Sequence, residues 1–498
     1  MRRSVLVVAL LLIVLPLRAA TDWTLVHNRT MEAIDLMYNL DFGAAEKKCN
    51  EVIGLAPGDP RGHFFKSMTY YYRMSFKGGS KNDTAFWAFI YHADKVTKVC
   101  EQLLDQNEND TKAMFYMGGT IGFKGLAYVN RGETLKAIWD GKKGYNLLEE
   151  AVEKDPSNMD AKMGLGMFQY MISQAPSEFQ SAIKLAGLTG DRWGGLRMLE
   201  EAASKGVYAK QEARRWLYGF YLAEDLPKRS IVHIRWLKDS FPRNWYFLQQ
   251  YADISLYQIR DATSAEPAYK TLSMMPINNG DVSYVRWLAN FRLGYISMAK
   301  ERYSETITYY MAAYNVATTD ERRHESAASI GIAYDFLGDR EQAISWYRKA
   351  GTHSVAQRNL KTMRTPKELL IEKVSWAHSV GLYHRVISLV DSVVGAKAIS
   401  DNETLAQVLY QQGVACYETG NFGRADKCFT AVLGMQGADA WIHPYSHYRL
   451  GMTLVKQDKT ATAKQHFARV LEYEDYPSED VLRKRVAREM NALERNGK

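Results

Sequence analysis

Apolar side chains recur along this chain at three- and four-residue intervals, and no stretch alternates apolar and polar residues long enough to argue for a strand. The pattern predicts helices throughout and no sheet. It is sharpest in the C-terminal half. Gly331, Tyr334, Gly338, Ala343, Tyr347 and Ala350 set a small residue first, an aromatic three positions on, an alanine at twelve and a second aromatic at sixteen. Gly413, Gly420, Ala425 and Phe429 repeat the spacing, as do Gly451, Leu454, Ala463 and Phe467, and a weaker copy runs through Leu293, Gly294, Thr306, Tyr310 and Ala313. Self-similarity at a period near 37 residues is the mark of helical hairpins that bury their faces only by stacking on neighbours.

The residue types have physical reasons. Small side chains let the two helices of a hairpin approach closely, and the aromatic at the sixteenth position is expected to fill the gap toward the next hairpin. Gly338-Asp339-Arg340 and Gly420-Asn421-Phe422 supply the left-handed and capping conformations that a short turn between antiparallel helices requires. The N-terminal half follows the same design with longer insertions: Phe42, Ala45 and Pro57 fit a second helix ending in proline, as do Gly144, Leu148, Ala151 and Pro156. Gly195, Leu199 and Ala202 match another, and Ile234, Leu237 and Pro242 end a further helix. The expected organisation is a leader at 1–20, a degenerate array at 21–280, a regular array at 281–475 and a terminal capping helix at 476–498 carrying Val481, Leu482, Val486, Met490 and Leu493. About ten hairpins result, some of them degenerate.

These repeats resemble the tetratricopeptide superfamily over most of residues 30–475. The resemblance implies an all-α solenoid, a right-handed superhelix of helical hairpins, and says little about function. A narrower resemblance lies in the centre. Gly164-Leu-Gly-Met-Phe-Gln-Tyr170, Ala175-Pro176 and Gly187-Leu-Thr-Gly-Asp-Arg-Trp-Gly-Gly-Leu196 are similar to segments of the inclusion-body-clearance and mitochondrial outer-membrane tetratricopeptide family, and of uncharacterised secreted bacterial proteins.

Composition narrows the class. With 46% hydrophobic and 24% charged residues the 498-residue chain can bury a large core, which excludes disorder and disulfide-stapled miniproteins. The net charge of +8 comes without a dense Lys/Arg block, so no nucleic-acid partner is implied. Arg2 and Arg3, the apolar run Val5 to Leu15, Pro16 and the small pair Ala19 and Ala20 read as a secretory signal. The run is too short for an ordinary membrane helix, and no later stretch reaches the length a span needs. The expected location is outside the cytoplasm, periplasmic or extracellular, in a bacterial envelope. Cys49, Cys100, Cys416 and Cys428 are too few and scattered for a metal cluster or disulfide framework, although Cys416 and Cys428 fall on the two arms of one hairpin and could be bonded.

Candidate chemistry is sparse. There is no phosphate-binding loop, no nucleophile elbow and no zinc-protease motif, so no catalytic residue and no cofactor is expected. His443 and His447 lie one turn apart, but without a matched third ligand they do not predict a metal site. Asp191 reads as a helix cap, and Gly118, Gly119, Gly122 and Gly125 as a seam for tight helix packing. The concave face of such an array is built by the first helix of each hairpin, at positions one after the glycine and three before it. Those positions hold Phe291 and Tyr295, Ala328 and Ile332, Tyr410 and Val414, Tyr448 and Met452. Arrays that grip a chaperone's C-terminal carboxylate place Lys and Asn there, which argues against that ligand. With Tyr417 and Tyr445 nearby, Phe291, Tyr295, Tyr410 and Tyr448 predict an aromatic groove for an extended peptide or a partner helix. The function expected is a non-catalytic scaffold for a protein partner of unknown identity. The alternative is an accessory protein that passes a small molecule or glycan to an envelope transporter, using the Gly/aromatic region 115–196.

Overall fold

Short polar side chains start the helices. Asp22, Asp110, Asn158, Asp191, Asp281, Asp339 and Asn421 each accept a hydrogen bond from a backbone N–H of the following first turn, satisfying a donor the helix itself leaves open. Gly338 and Gly420, at φ +82° and +78°, end helices in the left-handed conformation that other residues adopt only at a cost. The computed structural model describes residues 21–76, 83–395 and 399–496, and the leader lies outside them. Among the described residues there are twenty-five α-helices and no strand. Setting aside the short Gln180–Leu185 and Ser354–Lys361 and the terminal Glu479–Asn496, twenty-two helices pair in sequence as eleven hairpins. No helix among the described residues is long and apolar enough to cross a membrane.

The spacing of glycine and aromatic has a direct structural meaning. A Cβ on Gly294 would lie 2.6 Å from the ring of Tyr310, on Gly331 2.5 Å from Tyr347, on Gly413 2.7 Å from Phe429 and on Gly451 2.6 Å from Phe467. In each case the partners are sixteen residues apart. The ring therefore rests on the glycine of its own hairpin, locking the first helix to the second, rather than serving only the next hairpin. Any side chain in place of the glycine would push the two helices apart.

By compactness the chain divides between Ala209 and Lys210. In the first unit, the helices Thr111–Val129 and Thr134–Lys154 meet along small residues. A Cβ on Gly118 would lie 2.8 Å from Leu148 and 2.9 Å from the Gly144 carbonyl, so the glycine seam is filled by tight helix packing. Asp160, 8% exposed, ties down the unit's last turn: its carboxylate accepts from the backbone N–H groups of Val207, Tyr208 and Ala209. Beside it the Tyr208 hydroxyl accepts from Arg61 at 3.0 Å, and the Arg61 guanidinium is paired with the buried Asp59. Asp160→Ala leaves those amides without their acceptor and should cost about 2–3 kcal/mol, visible as a lower urea midpoint, while Asp160→Asn should recover part of the loss.

The second unit winds tightly enough for distant segments to touch. The Arg260 guanidinium meets His378 Nε2 at 3.0 Å and the backbone N–H of Ala262 donates to the Val380 carbonyl. Glu301 pairs with both Lys373 and Arg385. The terminal helix Glu479–Asn496 buries Leu482 and Val486 in the core of the last hairpins, and Arg485 forms a bidentate pair with Asp225, Nε to Oδ2 and Nη2 to Oδ1 each at 2.6 Å. That helix therefore covers the end of the stack and also fastens it to the turn that follows Lys210–Ala223.

Candidate functional site

In the second unit, segments from the first arms of four successive hairpins converge on one cavity of about 320 Å³. Tyr257 comes from the π-helical turn Ile254–Ile259, and Phe291, Arg292, Tyr295 and Met298 from Val282–Ala299. Ser329 and Ile332 come from Asp320–Leu337, Trp376 from Pro366–Ser379, and Tyr310 closes the wall from the neighbouring second helix. The side chains on Val282–Ala299 are spaced by one, three and four residues, which puts them on one inward stripe. Gly294 lets the Tyr310 ring lie flat against that helix, and so fixes this wall.

The walls are aromatic and braced. Phe291 and Tyr310 rings lie 5.1 Å apart, Trp287 stacks behind Phe291 at 5.2 Å, and Trp376 packs on Phe336 at 4.9 Å. The Tyr295 hydroxyl shares a 2.6 Å hydrogen bond with Ser379. Arg292 stands out from these neighbours. Its guanidinium lies 4.8 Å from the centre of the Tyr257 ring, while its Nε is buried without a hydrogen-bond partner. Two acids approach it without pairing: burial pushes the carboxyls of Asp253 and Glu325 above their ordinary range, against the pull of Arg292. Asp253 spends its oxygens on the Tyr269 hydroxyl at 2.5 Å and on Gln249.

Of the aromatic residues that spacing assigned to a groove, Phe291 and Tyr295 line this cavity. The others lie in the last hairpins. Tyr410 is buried, with its ring edge-on to Trp441 and against Phe429, and Tyr448 is buried on Phe467. Tyr417 packs on Phe422, and Tyr445 lies between Trp441 and Tyr476, both half-buried. Arg292 escaped the sequence reading because it sits one position beyond Phe291, and nothing local marks a guanidinium that will lack a carboxylate. Cys416 and Cys428 are both buried free thiols, and Cys428 Sγ donates to Gln412 Oε1 at 3.5 Å. His447 Nδ1 lies 2.9 Å from His466 Nδ1, a hydrogen bond between the two arms of a hairpin. Asp191 caps Arg192–Lys205 by accepting from Gly194. Among the described residues no group of three or more His, Cys, Asp or Glu side chains is arranged to hold a metal.

Comparison with known proteins agrees with the repeat geometry. Residues 77–223 match the family model described as Iml2/tetratricopeptide repeat protein 39, and residues 324–350 match a tetratricopeptide repeat model. Together these span less than half of the chain. No curated protein matches it significantly. Similar solved structures include MamA (AMB-1), at 20% identity over 40% of this chain and 98% of that one, with a TM-score of 0.21. The P58(IPK) TPR domain is 13% identical over 82% and 95%, with a TM-score of 0.23, and yeast Tom70 10% identical over 95% and 96%, with a TM-score of 0.24. At these scores the likenesses carry no functional information. The glycine–aromatic register of its hairpins and the two family models show tetratricopeptide-type repeats in this chain, over residues 77–223 and 324–350 by the models.

Proposed function

We propose that this protein is an exported, non-catalytic scaffold that holds a protein partner, acting in a bacterial cell envelope. The observation that carries the reading is the cavity between the first helices of successive hairpins, with its braced aromatic walls. Such a surface needs little ordering when an extended or helical segment binds, so less of the contact energy is lost to side-chain entropy. The leader-like start of the sequence supports export. A small-molecule or glycan carrier using the region 115–196 has less support. Leu148, Phe168 and backbone atoms come within close contact of the glycine faces there.

Crosslinking in the native cells followed by purification of the tagged full-length protein should retain one or two stoichiometric proteins. Tyr295→Ala should reduce their recovery at least fivefold with helical circular dichroism unchanged, as expected for an interface aromatic worth more than about 1 kcal/mol. A preparation free of protein partners, or one carrying a bound small molecule instead, would overturn the scaffold reading.

A further inference from the structure

We infer that the outer face formed by the second helices of the first unit's hairpins rests on a lipid surface bearing anionic headgroups. The inference is independent of the cavity in the second unit. It begins with aromatic side chains that the fold leaves uncovered. Trp87 and Tyr91 lie one turn apart on Asp83–Gln106, as Leu135 and Trp139 do on Thr134–Lys154, and all four are more than half exposed. An ion pair shows that the two stripes adjoin. Lys143, one turn beyond Trp139, meets Glu101 at 4.0 Å, and Glu101 continues the stripe of Trp87 and Tyr91. Nearer the helix starts, the Arg131 guanidinium lies 4.4 Å from the ring centre of Phe86, the neighbour of Trp87. A third second helix, Arg192–Lys205, joins this face where Lys142 Nζ donates to the Gly187 carbonyl at 3.0 Å. Beside that turn stand Trp193 and Leu185, the most exposed large apolar side chain among the described residues. Four tryptophans are exposed among the described residues, and three of them stand in the first turns of these three helices.

Charge identifies what covers the face. Residues 87–98, 131–143 and 184–197 carry nine Lys or Arg against four Asp or Glu. Three of those acids already have cations beside them: Asp94 has Lys124 at 2.8 Å, Glu133 has Arg131 at 3.7 Å and Asp191 has Arg197 at 4.0 Å. The far ends of the first two helices are the reverse, with eight acids and one base over residues 101–110 and 149–155. The unit therefore has a basic, aromatic edge and an acidic one, and only the first complements an anionic surface. Residue type decides between a bilayer and a protein. Lysine is depleted at the core of protein interfaces, whereas Trp, Tyr and Leu interleaved with Lys and Arg suit the headgroup region, where rings lie among the headgroups and cations reach the phosphates. Lys95 Nζ lies 5.3 Å from the centre of the Tyr91 ring, so charge and ring are presented together. Binding through such a face is peripheral, and salt weakens it.

The test uses the protein as purified from its own cells and sucrose-loaded vesicles of phosphatidylcholine, with or without about one third phosphatidylglycerol, and measures the fraction sedimented. Wild type should bind the phosphatidylglycerol vesicles about tenfold more tightly than the neutral ones, and about 0.5 M NaCl should remove most of that preference. Tryptophan emission should move to shorter wavelength on binding. Trp87→Ser combined with Trp139→Ser should weaken binding about tenfold with helical circular dichroism unchanged. Lys95→Glu combined with Lys184→Glu should erase the preference for the anionic lipid. Trp23→Ser removes an exposed tryptophan that lies outside this face and should leave binding as it is. Absence of binding, equal binding to both vesicles, or wild-type binding by the tryptophan double variant would each overturn the membrane face. If vesicles do not bind and the tryptophan double variant instead loses a crosslinked protein, the face docks a protein and the lipid assignment falls.

Discussion

Gly195→Ala, the addition of a single methyl group, should cost the first unit about 3 kcal/mol or more and lower its melting temperature by about 6–12 °C. The helices Met159–Ser173 and Arg192–Lys205 cross where Gly166 and Gly195 face one another. A Cβ on Gly195 would stand 2.5 Å from the Gly166 carbonyl oxygen and 2.8 Å from the Tyr170 nitrogen; a Cβ on Gly166 would stand 2.7 Å from the Gly195 oxygen. These are backbone atoms, so no rotamer change relieves the clash and the helices must separate along their contact. Gly43→Ala is the matched control. Nothing lies within 4 Å of its Cβ position, and the gain in helix propensity should make it neutral or stabilising by up to about 1 kcal/mol. Thermal circular dichroism of the two variants decides the point: equal melting temperatures would mean the helices do not cross where the two glycines meet.

Acidification below about pH 6.5 should destabilise the second unit through its buried histidines. His378 is buried and receives the Arg260 guanidinium on Nε2, so burial, reinforced by the charge of Arg260, pushes its pKa down to about 3. His447, buried beside His466, is pushed down to about 4 mainly by burial and then by its histidine neighbours. The sign follows from the direction of the shifts. Each histidine stays neutral when folded and takes up a proton near pH 6.5 when unfolded, so between about pH 6.5 and the folded value the unfolded state binds more protons. Stability is fully present above pH 6.5 and falls as the pH drops. The contribution of His378 alone is on the order of 4 kcal/mol between pH 7 and pH 3, and each such histidine adds about 1.4 kcal/mol per pH unit to the slope. Below that, Glu266, which ion pairs with Lys270, Lys300 and Arg302 hold at about 2 despite burial, adds its own loss in the same direction as the pH falls below about 4.5. Urea titrations from pH 7 to pH 4.5 should show the midpoint falling steadily, and His378→Gln should remove about one proton from the slope. A midpoint flat across this range would contradict the burial of His378 against Arg260.

Much of the fold was legible because its determinants are local. The sixteen-residue step from glycine to aromatic appears in the sequence as Gly331 and Tyr347, and in the structure as a ring lying on a bare helix backbone. Asp339 and Asn421 announce helix starts because capping needs only a short polar side chain and the three residues that follow. The site was less legible. Spacing gives Phe291 and Tyr410 equivalent inner positions, three before Gly294 and Gly413, yet Phe291 borders a cavity while the edge of Trp441, from the next hairpin, packs against Tyr410. Which of two equivalent aromatics stays open depends on how far one hairpin rotates against the next, and no single repeat encodes that rotation.

The sequence by itself determined an all-α array of hairpins, their turns, their caps and the small residues at helix crossings, because each rests on contacts between residues fewer than about forty positions apart. Tertiary structure alone decided that Arg485 fastens to Asp225, that His378 meets Arg260, and that Arg292 is left among aromatic rings without a carboxylate. Those outcomes depend on the accumulated winding of several hairpins, where a small change in each packing angle moves distant side chains by several ångströms. Pairing and desolvation of long charged side chains are therefore settled only when the whole stack is in place.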